Sequence, residues 1–202
     1  MSKTPFDPAQ QQKDVTSKIV AGLERVSEAF KVMLWEKAKT LGLSPIQIQI
    51  LIFIAYHKSE WCNVSHLARE FNVSKPTISD AVRMLEQKKL ILKDFSQPDS
   101  RSYLILLSAA GKKVVEKTED FANPLRNELK QSDTTELADL FQSLSQLIYR
   151  LNQSGILTIQ RTCYGCRFFS QRKRKNFCNL LNVELASRDI RVDCPEYAPV
   201  GT

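Results

Sequence analysis

"VSHLAREFNVSKPTISDAVRMLEQKKL", Val64 to Leu90, holds two short helical patterns separated by a tight turn. The first runs from Val64 to Phe71 and the second lies within Asn72 to Leu90. Ser74 is placed to cap the second helix, and Pro76 is tolerated in its first turn because the backbone N–H there has no partner. Ile78, Ala81, Val82 and Leu85 share one face of this helix. Ser79, Arg83 and Gln87 share another, and Lys75, Pro76, Thr77 and Asp80 sit at its exposed N-terminal end.

Past Leu90 the period changes. "LILKDF" and "SYLILLS" are rich in strand formers, and "SQPDSR" between them carries turn residues, so a β-hairpin is expected. Helix, turn, helix, hairpin is the order of a winged helix–turn–helix. The fold class expected is mainly α with a small β-hairpin wing. The second helix would then enter the major groove of DNA. Ser74, Lys75, Pro76, Thr77, Ser79 and Arg83 are the residues expected to touch DNA from this helix, as small hydroxyls and cations suited to phosphates or base edges. Arg101 at the hairpin tip would meet the minor groove or the backbone. Asp80 is an acid near phosphate, which could accept from a cytosine or orient Arg83. A winged helix used only for protein contacts is the bland alternative.

Residues 1–14 are polar, carry Pro5 and Pro8, and read as a loose, flexible arm. From about Val15 to Ala38, the apolar residues Val15, Ile19, Leu23, Val26, Phe30 and Met33 make a narrow seam of the kind that pairs helices. "LGLSP" breaks that helix, and a strongly apolar one follows from Ile46 to about His57. On the far side of the hairpin, Ser108 caps a long helix expected from Ala109 to about Gln131, kinked at Pro124. Ser132 or Asp133 then caps a last helix whose stripe is Leu137, Leu140, Phe141, Leu144, Leu147, Ile148 and Leu151. "NQSG" ends it.

The run "LSPIQIQILIFIA … VSHLAREFNVSKPTISDAVRMLEQKKLILKDFSQPDSRSYLILLSAAGKK" resembles the MarR family of bacterial transcription regulators, over roughly residues 15 to 152. The resemblance implies a homodimer built by the first and last long helices, a near-palindromic operator, and a wing arginine on DNA, here Arg101. That family's wing tip often carries two adjacent arginines, and this chain has Ser100 at the first of those positions.

Residues 156–202 form an extension holding four of the chain's five cysteines, as Cys163, Cys166, Cys178 and Cys194. The N-terminus has no signal-peptide core and the longest apolar run, Ile50 to Tyr56, is far shorter than a membrane span, so a cytoplasmic protein with no membrane partner is expected. Cytoplasmic thiols stay reduced, and four of them suit a thiolate metal site. An iron–sulfur cluster, 4Fe–4S or 2Fe–2S, is the favoured cofactor, because a zinc finger usually closes with a second short pair that is missing here. The tail also resembles cysteine-rich C-terminal segments ending in "DCPE" from iron–sulfur proteins. Structural zinc, or a thiol–disulfide switch, stays open. Cys62 reads as a plain core or turn residue, and His57 and His66 as isolated.

The net charge of +7 points to a polyanionic partner. The basic residues concentrate in Arg161, Arg167, Arg172, Lys173, Arg174 and Lys175, with no acid between positions 161 and 180. The function expected is a sequence-specific regulator tuned by a cluster that senses redox state, oxygen, nitric oxide or iron. A regulator answering to a small-molecule effector, with a structural zinc, is the alternative. An iron–sulfur enzyme is the reading from another class. Against it, the sequence has no Gly-rich cofactor loop, no paired carboxylates and no nucleophile–base motif, and four cysteine ligands leave no iron open to substrate.

Overall fold

A helix that is apolar on every side has to be covered on every side, and the fold is arranged around one. The computed structural model describes residues 4–96, 103–172 and 175–200. In it, α3 (Pro45–Tyr56) places Ile48, Ile50, Leu51 and Phe53 in the core. Pro45 starts this helix, and the Gln47 side chain accepts from the Ser44 N–H at 2.9 Å.

Within the stretch read as a loose arm, α1 (Pro8–Lys13) forms because the Asp7 carboxylate caps the Ala9 N–H and Pro8 begins the turn. Asp14 caps α2 (Val15–Thr40) through the N–H groups of Thr16 and Ser17. Those bonds hold the exposed Asp14 carboxyl at about 2. Only the C-terminal end of α2 joins the core, through Leu34 and Ala38. Its N-terminal seam stays open in the single chain, with Val15, Ile19, Leu23, Val26 and Phe30 all exposed.

After a 3₁₀ turn at Ser59–Trp61 come α4 (Val64–Glu70) and α5 (Lys75–Gln87). Asn63 caps α4, and Asn72 takes a left-handed φ of 55° in the turn between the pair. Asparagine tolerates that conformation better than most residues. The strands β1 (Ile91–Asp94) and β2 (Leu104–Leu107) pair antiparallel, with Ile91 opposite Leu107 and Asp94 opposite Leu104. The Cys62 carbonyl accepts from the Ile105 N–H at 2.7 Å and so pins the hairpin to the core.

The helix expected from Ala109 to Gln131 is two helices: α6 (Ala109–Thr118) and α7 (Asn123–Leu129), with turns between. Pro124 does not kink a continuous helix. It sits in the first turn of a new one, where its missing N–H leaves no carbonyl unsatisfied. Then α8 (Thr134–Gln153) is capped by Asp133 and ends at Gly155, φ +77°.

The extension has a structure of its own that the sequence did not signal. An antiparallel sheet runs β3 (Phe169–Arg172), β4 (Lys175–Cys178), β5 (Val183–Leu185), with Leu185 and Ile190 buried beside it. Among the described residues no single helix is long and apolar enough to cross a membrane.

At Gly111, α6 packs closely against the segment that follows α5. A Cβ on Gly111 would lie 2.0 Å from the Leu90 carbonyl oxygen, a backbone atom that also accepts from the Ser108 N–H. Gly111→Ala is therefore expected to destabilise the protein by at least about 1–3 kcal/mol, as overpacking does. A urea midpoint equal to that of the wild type would refute this.

Candidate nucleic-acid interface and thiol pocket

The buried face of α5 is Ile78, Ala81, Val82 and Leu85. That docking turns Ser74, Lys75, Pro76, Thr77, Ser79 and Arg83 outward, and all six are exposed. Ser74 caps the helix, its hydroxyl 3.3 Å from the Thr77 N–H and 2.8 Å from the Thr77 hydroxyl. Of the two roles open to Asp80, the structure shows one: its carboxylate accepts from Arg83 Nη2 at 2.8 Å, with both side chains in solvent. Arg101 lies outside the described residues.

The histidines read as isolated belong instead to a polar hub that joins the extension to the helix–turn–helix. At its centre is Arg161, only 6% exposed. Its Nη1 and Nη2 donate to the Glu70 carboxylate at 2.8 and 2.9 Å, and its Nε donates to Asp193 at 2.5 Å. Its guanidinium lies 4.8 Å from the centre of the Trp61 ring and 5.8 Å from that of Phe53. Burial opposes its charge, but the two carboxylates outweigh burial and shift its pKa upward. His57 Nε2 is 2.7 Å from the other Asp193 oxygen. That bond, helped by Arg161, holds the Asp193 carboxyl well below its ordinary range despite burial. His66 stacks flat on Trp61, and burial lowers its pKa.

Two backbone contacts extend this junction. The Thr158 hydroxyl donates to the Arg69 carbonyl, and the Asn72 side chain donates to the Ile156 carbonyl at 3.3 Å. No sequence signal marks these pairs, because Arg161 and Glu70 are 91 positions apart. Arg161 belongs to the basic run that points to a polyanionic partner, yet it is buried.

The same extension brings Cys163, Cys166, Cys178 and Cys194 onto the wall of one pocket, together with Phe168, Phe169, Leu180, Leu181 and Leu185. Cys163 begins a 3₁₀ turn and Cys166 follows it, Cys178 ends β4, and Cys194 follows the bridge between Arg161 and Asp193. The Arg191 N–H donates to Cys163 Sγ at 3.2 Å, and the Arg191 guanidinium lies 3.7 Å from Cys194 Sγ. Burial pushes the Cys163 thiol up, and the neighbouring thiols push the same way against the Arg191 N–H. The pocket's cavity is about 30 Å³. Organic ligands need about 300 Å³ or more, so it is not a small-molecule site. A group bonded to the sulfurs needs less free space, because metal–thiolate bonds of about 2.3 Å are far shorter than non-bonded contacts. Among the described residues no group of three or more His, Cys, Asp or Glu is disposed around a single ion. The four thiols share one pocket wall.

A second cavity, about 700 Å³, opens between α2 and α3. Phe30, Leu34, Trp35 and Phe121 give it apolar walls, and Ser27 and Gln49 add polar groups.

Residues 41–102 match the family model described as the MarR family. The extension lies outside that match. Among solved structures, the chain is similar to a Staphylococcus aureus MepR–DNA complex, at 24% identity and a TM-score of 0.56, over 64% of this chain and 94% of that one. It is similar to S. aureus MepR in its DNA-binding conformation at 22% identity and a TM-score of 0.59, over 66% and 98% of the two chains. It is similar to the transcriptional regulator PA3341 at 25% identity and a TM-score of 0.58, over 67% and 98%. The comparison with curated proteins gives no match. These likenesses establish the winged-helix fold.

Cys62 is 1% exposed, and burial pushes its thiol up to about 11. Near neutral pH it is therefore almost wholly protonated, and the thiol form is unreactive. Iodoacetamide near neutral pH is expected to spare Cys62 in native metal-free protein and to label the four thiols of the extension. Mass spectrometry showing Cys62 labelled as fast as those four would contradict this.

Proposed function

We propose that the chain is a homodimeric, sequence-specific DNA-binding regulator whose grip on a near-palindromic operator is set by an iron–sulfur cluster held by Cys163, Cys166, Cys178 and Cys194. The DNA half of the reading is supported by the fold it shares with MepR, which has been solved on DNA, and by the polar outward face of α5. The dimer is supported by the open seam of α2, a run of apolar side chains that a lone chain leaves in water.

The observation that carries the regulatory half is the gathering of four cysteines, spread from 163 to 194, onto one apolar-walled pocket. A multi-iron centre is held by cysteine thiolates, and four of them share this pocket wall. Donors aimed at the sulfurs from Arg191 are the kind that tune such a centre. When bound, a cluster supplies a centre responsive to electrons, oxygen, nitric oxide or iron supply. The protein's own part is mechanical. The extension rests on α8 through the Ser187 hydroxyl and Gln142, 2.9 Å apart, and through Tyr164 against Tyr149. It rests on the helix–turn–helix through Arg161. A change in its packing therefore reaches both the element expected to set the spacing of two recognition helices, about 34 Å for successive major grooves, and the reading head itself.

A second reading is favoured by the α2–α3 cavity, which is of ligand size: a regulator answering to a small apolar effector, with structural zinc in the extension.

The expected outcome for anaerobically purified protein is visible absorption with matching iron and sulfide. Replacing any one of the four cysteines with Ser should bleach it, and Cys62→Ser should not. Zinc without sulfide would decide for the second reading. Arg83→Ala should cost about 1–3 kcal/mol of sequence discrimination if it pairs with a base edge. Arg101→Ala should weaken binding evenly across sequences. Unchanged operator affinity in gel-shift titrations would remove either residue from the interface, and a monomer by light scattering at micromolar concentration would refute the dimer.

A further inference from the structure

We propose that the Arg161 clamp is the positioning device through which the state of the thiol pocket reaches the DNA-reading helices, a proposal that rests on the regulator reading above. The clamp and one side of the pocket are built from the same two pieces of chain. Arg161 and Asp193 form a parallel bridge, the Cys194 N–H donates to the Arg161 carbonyl at 3.0 Å, and the Cys163 N–H donates to the Arg191 carbonyl at 3.1 Å. Cys163 follows Arg161 by two residues, and Cys194 follows Asp193 directly. The separation of these two thiols therefore fixes how Arg161 and Asp193 stand to each other.

The other end of the clamp is Glu70, the last residue of α4. The next turn, Phe71 to Val73, sets the angle between α4 and α5, and Asn72 within it is already tied to Ile156. A guanidinium is a rigid planar fork, and here it serves two carboxylates at once. Arg161 is nearly buried, so little water can replace a lost partner. A shift between its two partners is therefore resisted or transmitted, because a charge left unpaired there is costly. His57, at the end of α3, holds the far oxygen of Asp193 and ties the same piece of chain to the core helix. Cys166 and Cys178 have no such link. Cys166 bridges to Pro199, and Cys178 pairs with Phe169 in the sheet.

The test uses full-length protein reconstituted anaerobically, with operator affinity of loaded and apo forms measured at one salt concentration. The wild-type forms should differ by roughly 5- to 150-fold, the usual range of allosteric coupling. Arg161→Met and Glu70→Gln should load iron and sulfide with the wild-type spectrum, yet bring that ratio close to one. Arg161→Lys keeps the charge without the fork and should restore only part of it. The wild-type ratio persisting in both Arg161→Met and Glu70→Gln overturns the proposal. Glu70→Gln leaves the Asp193 partner in place, so it serves if Arg161→Met fails to fold.

A second readout needs no cluster. In apo protein, pulse labelling with iodoacetamide should modify Cys163 and Cys194 several-fold faster in the clamp variants, with Cys178 unchanged. Equal labelling also overturns the clamp. Wild-type protein that takes up no iron, or binds DNA alike in both forms, sinks the regulator reading, and the labelling still decides the clamp.

Discussion

A guanidinium at 6% exposure is tolerable only where acids surround it, and Arg161 is held by Glu70 on one side and Asp193 on the other. Removing the partly buried Glu70 costs up to about 3–5 kcal/mol, mostly because the arginine charge is left unpaired, and the half-exposed Asp193 counts for less. Much of the extension's apolar area is not used for docking, since Leu180, Leu181, Val183 and Val192 remain exposed. Its attachment to the helix–turn–helix is therefore polar and directional. Apolar packing tolerates sliding, whereas a two-carboxylate fork holds one register.

The reading head depends on a different constraint, the burial of α3. Because Ile48, Ile50 and Leu51 need cover all round, α6, the hairpin and α5 are drawn against α3. The inward face of α5 is then committed, and its outward face is whatever remains: Ser74, Lys75, Thr77, Ser79 and Arg83. The Asp80–Arg83 pair keeps that face from being simply cationic. An exposed pair of this kind contributes little to stability, so Arg83 is free to exchange Asp80 for a base edge at small cost.

Two features of the molecule look unfinished in one chain and make sense together. The α2 seam is open to water, and the α2–α3 cavity has its mouth beside the same helix. A second copy laid along α2 would cover the seam. In the dimer proposed here, the thiol extension then sits between an interface helix, α8, and the clamp on α4.

The elements legible in the sequence were those set by neighbours in the chain. Ser74, Ser108 and Asp133 each cap a helix through N–H groups two or three residues away, and the faces of α5 follow from its period. The hairpin pairing likewise follows from strand formers flanking turn residues. The cysteine spacing pointed to a shared place in the fold, and the four thiols do line one pocket. Asp7 and Asp14 were equally local signals for α1 and α2, but the prolines of the arm masked the first. Tertiary structure alone decided that Pro124 would start a helix rather than bend one. It alone decided that Arg161 would leave the basic run for the interior, and that His57 would meet Asp193 across 136 positions. An arginine carries the same letter whether it faces solvent or folds inward onto a carboxylate. Which of the two it meets depends on where distant segments come to rest, and that is settled by the packing of the whole chain rather than by any stretch of it.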